Sequence, residues 1–134
     1  MAKLAMIEGI GEVYEQKLNA AGVKSVEALL DMGCSPQGRK TLEEKTGIKH
    51  DLILEWVNHA DLFRIPGVGE EYSDLLEEAG VDTVKELAQR NAANLYKAIV
   101  EKNEAKKLVR RIPTQKQIEA WIEAAKTLPR VVTY

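Results

Sequence analysis

Two short glycine-containing stretches have residue types and spacing that could hold an anion. One is Ile65-Pro66-Gly67-Val68-Gly69-Glu70; the other, 58 positions earlier, is Ile7-Glu8-Gly9-Ile10-Gly11-Glu12. Glycine lets the backbone turn sharply through positive φ, and Pro66 cannot continue a helix that runs into it. A helix beginning just past such a turn presents N–H groups with no intrahelical partner, and its dipole adds positive potential. That end suits a phosphate or a carboxylate. The competing reading is a plain connector, in which the glycines only let the chain reverse.

Other reactive residue types are sparse. His50 and His59 lie nine apart with no third ligand at metal spacing, so no metal site is expected. They read as a helix-start residue and a partly exposed helix residue. Cys34 is alone, which excludes an intrachain disulfide and fits a reducing compartment. The carboxylates fall at helix-surface spacing, leaving paired acid/base catalysis without a seat. The expectation is a protein that is not an enzyme and needs no cofactor.

The two glycine stretches belong to a longer repeat. At the same offset, Ile7, Gly9, Gly11, Glu12, Tyr14, Leu18, Ala21, Gly22, Val23, Val26 and Leu29 meet identical residues in the stretch from Ile65 to Leu87. A fixed-offset repeat is an architectural signal that precedes any local assignment. Farther on, Ile53, Trp56 and Ala60 correspond to Ile118, Trp121 and Ala125. A single domain spanning residues 1–134 is expected. It would contain a first unit over about 1–63, a second over about 64–128 and a tail over 129–134.

Composition fits a water-soluble globular chain, with 45% apolar and 30% charged residues and a net charge of −2. No apolar run reaches the roughly 18 residues of a membrane span. The start of the chain lacks the apolar core of a secretory signal, so a cytoplasmic location is expected. The near-neutral total argues against a dedicated basic nucleic-acid binder, but the charges are unevenly placed. From Glu70 to Glu86 there are seven acids and one base; from Lys102 to Lys116 there are six bases and one acid. A surface polarised in this way suits either a polyanion or a complementary protein patch.

The positioning elements read as helices throughout. Gly22 and Gly80 stop the helices that follow the two turns. Ser25 and Ser35-Pro36 are helix starts, and Gly47 ends the second of these. His50 to Phe63 carries Ile53, Trp56, Val57, Ala60 and Phe63 on one stripe. Thr83 to Glu86 and Thr114 to Gln117 both have capping-box spacing. Asn91 opens a helix bearing Leu95 and Ile99, and Lys106 to Arg111 is expected to form another helical turn or two. Residues 129–134 are expected either to fray or to form a short extended tail. No strand-like alternation occurs, so the fold class is all-α.

The pattern helix, Ile-x-Gly-(Ile/Val)-Gly, helix resembles the helix-hairpin-helix motif, and its duplication resembles the tandem form of that fold. The paired Tyr14 and Tyr72 and the two Ala-Gly-Val steps are similar to those of an uncharacterised bacterial family of tandem helix-hairpin-helix proteins. The resemblance implies one compact domain of duplicated units with approximate internal two-fold symmetry. It also implies that hairpin amides hold a DNA backbone phosphate, here those of Gly9, Gly11 and Glu12 and of Gly67, Gly69 and Glu70. The chain departs from the DNA-binding pattern after each turn. Val13 and Glu71 stand where a lysine is frequent, and Glu15 and Ser73 where an alanine is common.

These observations lead to a non-catalytic, sequence-independent binder of duplex nucleic acid as the first expectation. Arg64, Lys106, Lys107, Arg110, Arg111 and Lys116 would supply the electrostatic part. The alternative is a protein-interaction or scaffold module docking through the acidic face of residues 70–86, with monomer and dimer both open. The hydrophobic cover for the first turn is expected from the helix Gln115–Lys126. That arrangement would put Trp121 beside the turn at residues 7–11, and Trp56 beside the turn at residues 65–69.

Overall fold

The computed structural model describes residues 2–134; Met1, part of the lead into the first turn, lies outside them. The described residues form eight α-helices and one 3-10 turn, with no strand, so the chain is all-α. They group into two compact units, residues 2–61 with 131–134, and residues 62–130.

The first unit opens with a 3-10 turn at Leu4–Met6, then α1 (Glu12–Ala20), α2 (Val26–Gly33), α3 (Pro36–Thr46) and α4 (His50–Leu62), the last residue of which falls in the second unit. Ser25 and Ser35 accept hydrogen bonds from Ala28 N and Gly38 N at 3.1 and 3.0 Å, which satisfies one orphan donor at each helix start. Leu4, Ile7, Leu18, Leu29, Leu42, Ile53 and Trp56 are almost fully buried. Sequestering side chains of this size contributes about 1.5–3 kcal/mol each. The α2–α3 corner is close-packed: a Cβ on Gly38 would lie 2.0 Å from Met32 O, and one on Gly33 would lie 2.5 Å from Val57 Cγ2.

The second unit holds α5 (Glu70–Glu78), α6 (Val84–Ala88), α7 (Ala92–Lys106) and α8 (Gln115–Thr127). Helices α6 and α7 pack on α8, and α5 packs on α7. Their core is Leu62, Ile65, Leu75, Leu76, Val81, Leu87, Leu95, Ile99, Ile118 and Trp121, among others. Thr114 and Gln117 form the reciprocal capping box at the start of α8. At α6 Thr83 caps Glu86 N, but the Glu86 carboxylate takes a backbone hydrogen bond from Asp82 instead.

Three expectations need correction. Residues from Lys107 to Arg111 are not helical. Helix α7 stops at Lys106, Lys107 takes a left-handed conformation (φ 51°), and Asn103 Oδ1 accepts the Val109 N–H at 2.9 Å, turning the chain out of the helix. His59 is buried, at 2% exposure, because it shares the inner stripe of α4 with Trp56 and Ala60. The tryptophans also sit the other way round. Trp56 Nε1 is 3.3 Å from where a Gly9 Cβ would lie, and Trp121 Nε1 is 3.3 Å from the same point on Gly67. Each unit closes its turn with the tryptophan of its own last long helix.

Candidate anion-binding turn and basic loop

Each glycine stretch folds into a turn of the same type. Ile10 N donates to Ile7 O at 3.1 Å, and Val68 N to Ile65 O at 3.0 Å. The third residue of each turn, Gly9 or Gly67, has φ of 95° or 89°. A positive φ at that position marks a type II turn and favours glycine. Pro66 occupies the second position of its turn, where a fixed φ near −65° fits.

The helices that follow begin without side-chain caps. Gly11 and Gly69 are the N-cap residues, and neither can offer a side-chain acceptor. Glu15 N reaches Gly11 O and Ser73 N reaches Gly69 O, each at 2.9 Å. The first-turn amides, from Glu12 and Glu70 onward, therefore point past the helix end with no intrahelical partner. Gly9, Gly11, Glu12, Gly67 and Glu70 are exposed and Gly69 is half-buried. The acidic first turns, Glu12 with Glu15 and Glu70 with Glu71, stabilise the helix dipole and oppose an incoming anion.

A tyrosine braces each turn. Tyr14 packs on Trp56 with ring centroids 5.1 Å apart, and Tyr72 packs on Trp121 at 5.2 Å. The tilted faces match the preferred geometry of aromatic pairs. Beyond this the units differ. Lys17 Nζ lies 5.9 Å from the Tyr14 ring centroid, close enough for a cation–π contact. The Tyr72 hydroxyl instead donates to Arg111 O at 3.1 Å. That bond ties residues 107–113, the basic loop, to the first turn of α5. Gly67, Gly69 and Glu70 are thus linked through Trp121 and Tyr72 to the segment carrying Lys107, Arg110 and Arg111.

The remaining basic residues have other surroundings. Lys106 pairs with Glu78 at 2.7 Å, and the Glu78 hydrogen bond raises the pKa of its ammonium. Arg64 is half-buried and donates from Nη2 to Pro129 O at 2.8 Å. Lys107, Arg110, Arg111 and Lys116 are exposed. Sequence reading missed Asn103 and the Tyr72 hydroxyl as loop anchors. Their partners stand six and 39 residues away, and only the recurrence of a tyrosine after each turn hinted at a shared role.

An open cleft of about 650 Å³ lies in the first unit between Lys3, Leu4, Glu15, Asn19, Ala20 and Lys24. A smaller one of about 200 Å³ in the second is lined by Arg90, Asn91, Ala92, Glu119, Ile122, Glu123 and Lys126. Neither lining includes a serine, cysteine or histidine. No helix among the described residues is long and apolar enough to cross a membrane.

No solved structure matches this chain. The family model described as domain of unknown function DUF4332 matches residues 8–128. With the second turn, both bracing tyrosines and all eight α-helices inside that match, the chain belongs to the DUF4332 family.

Proposed function

We propose that the chain is a duplicated pair of helix-hairpin-helix units whose second unit binds the backbone of duplex nucleic acid without catalysis. The observation that carries this reading is the Tyr72–Arg111 hydrogen bond. It attaches an exposed arginine pair to a turn whose amides have no intrahelical partner. A phosphate at the turn would be met by backbone N–H groups on one side and by Arg110 or Arg111 on the other. Contacts of this kind fix position on a duplex and carry no base information. Lys107 and Lys116 would add charge from the same unit.

Duplex binding measured at two salt concentrations tests the reading. Affinity is expected to fall steeply with added salt and to be indifferent to sequence, since each neutralised phosphate contributes a slope of about −0.9. Replacing Arg110 and Arg111 together with Ala should weaken binding to all sequences alike and flatten that slope by about one to two units. No binding by the wild-type chain at ~50 mM salt, where the electrostatic part is strongest, would overturn the proposal.

The exposed Glu70 and Glu71 favour a second reading, in which the acidic face of α5 docks a basic protein patch. Glu71→Lys separates the two. It should raise duplex affinity if the turn faces phosphate, because a repelling charge becomes an attracting one within a Debye length. A protein-docking face would lose its partner through the same change, while duplex affinity stayed flat.

A further inference from the structure

Residues 131–134 carry no regular secondary structure and are gripped by the α2–α3 corner of the first unit. Val132 is buried at 2% exposure. Thr133 N donates to Cys34 O at 2.8 Å, and Arg39 Nη2 donates to Thr133 O at 2.7 Å. The Tyr134 hydroxyl donates to Asn58 Oδ1 at 3.1 Å, and its ring centroid lies 5.7 Å from the Arg39 guanidinium. The corner is built for this. Gly33 and Gly38 leave no room for a side chain, so the turn closes tightly and aims the carbonyls of Gly33 and Cys34 at the groove.

Arg39 is the unusual member. It is 2% exposed, its Nη1 is held by Gly33 O at 2.9 Å, and its Nε has no hydrogen-bond partner. Burying a guanidinium on backbone carbonyls, with one donor unmet, carries a desolvation cost that its bonds must offset. The strap of residues 131–134 meets it twice, through Thr133 O on Nη2 and the Tyr134 ring beside the guanidinium. Local opening of a terminal segment at such a site is expected well below the free energy of global unfolding.

We propose that this corner is a docking groove for a Val-Thr-Tyr segment, and that residues 131–134 of a second copy of this chain fill it in concentrated solution, exchanging with the chain's own. The Thr133 and Tyr134 contacts are made by atoms that a second copy presents identically. The strap follows α8 after only Leu128, Pro129 and Arg130. Pro129 is conformationally restricted, and Arg64 fixes its carbonyl at 2.8 Å. A short, stiffened connection to a detachable segment is the arrangement in which exchange between copies competes with closure.

Cys34 is the sole cysteine, so Thr133→Cys creates one cross-linkable pair across the groove. Mild oxidation over a concentration series, read on a non-reducing gel, should give an intrachain product when dilute. A covalent dimer should replace it as concentration rises. A dimer yield no higher than that of the oxidised wild-type chain overturns the proposal. Light scattering of the unmodified chain provides a readout without substitution. Mass should grow toward a dimer with concentration and stop doing so when residues 131–134 are deleted; a monomer at every concentration also overturns it.

Discussion

Replacing Gly38 with Ala should destabilise the first unit by about 3 kcal/mol or more, at the upper end of what overpacking costs. The reason is contact, since Gly38 sits in the first turn of α3 with an ordinary helical backbone. Its missing Cβ would lie 2.0 Å from Met32 O and 3.1 Å from Met32 C. Those are backbone atoms at the end of α2, so no side-chain rotation can relieve the clash. Relief requires moving α2 from α3, which breaks the Ser35 cap on Gly38 N and shifts Arg39, whose Nη1 is bonded to Gly33 O. A loss of this size is a large part of the roughly 5–15 kcal/mol that holds a domain folded. Gly11→Ala is the matched control, because a Cβ there meets nothing within 4 Å and φ is −87°. Its cost should stay within about 1 kcal/mol, the value of a weakened N-cap. Denaturant midpoints for the two variants decide the matter; equal midpoints would show that the corner is not close-packed.

Gly38 also marks where reading the sequence stopped. A glycine that turns the chain announces itself by its neighbours, as Pro66-Gly67 does. A glycine that makes room does not, because its reason lies in another helix. The all-α class and most helix starts were legible, since Ser25, Ser35-Pro36 and Thr114 with Gln117 are local signals within four residues of their partners. The path of Lys107 to Arg111 was not. Its charged residues suit a helix, but the left-handed Lys107 and the capture of Val109 N by Asn103 make it a loop. The anchoring of residues 131–134 was not legible: fraying and a short extended tail were both expected over 129–134, and the anchor, Arg39, lies 94 positions from Thr133. At the candidate site, the turns and their uncapped amides followed from the spacing of the glycines in the two repeated stretches. The Tyr72 bond that brings the arginines to the second turn is tertiary, and no local pattern encodes it.

Trp121→Ala should cost about 3–5 kcal/mol, as removal of a buried indole does, and the damage should concentrate in residues 62–130. The sequence suggested the opposite. Helix α4 precedes the second turn directly, so it read as that turn's leading helix, leaving α8 to cover the first. In the structure each unit runs turn first and closing helix last. Trp56 is fully buried against Gly9 and Tyr14, and Trp121, at 4% exposure, against Gly67 and Tyr72. Seven extra residues separate turn from closing helix in the second unit, which is why the tryptophan offset is 65 where the turn offset is 58. Amide hydrogen exchange distinguishes the two arrangements. In Trp121→Ala, protection should fall at residues 65–72 and, through the lost support of Tyr72, along the loop at 107–113. In Trp56→Ala the loss should fall at residues 7–14. A Trp121 variant that exposed residues 7–14 first would restore the earlier arrangement. The same experiment bears on binding: if the second turn and the arginine loop form one site, duplex affinity should drop with Trp121→Ala far more than with an equally destabilising change in the first unit.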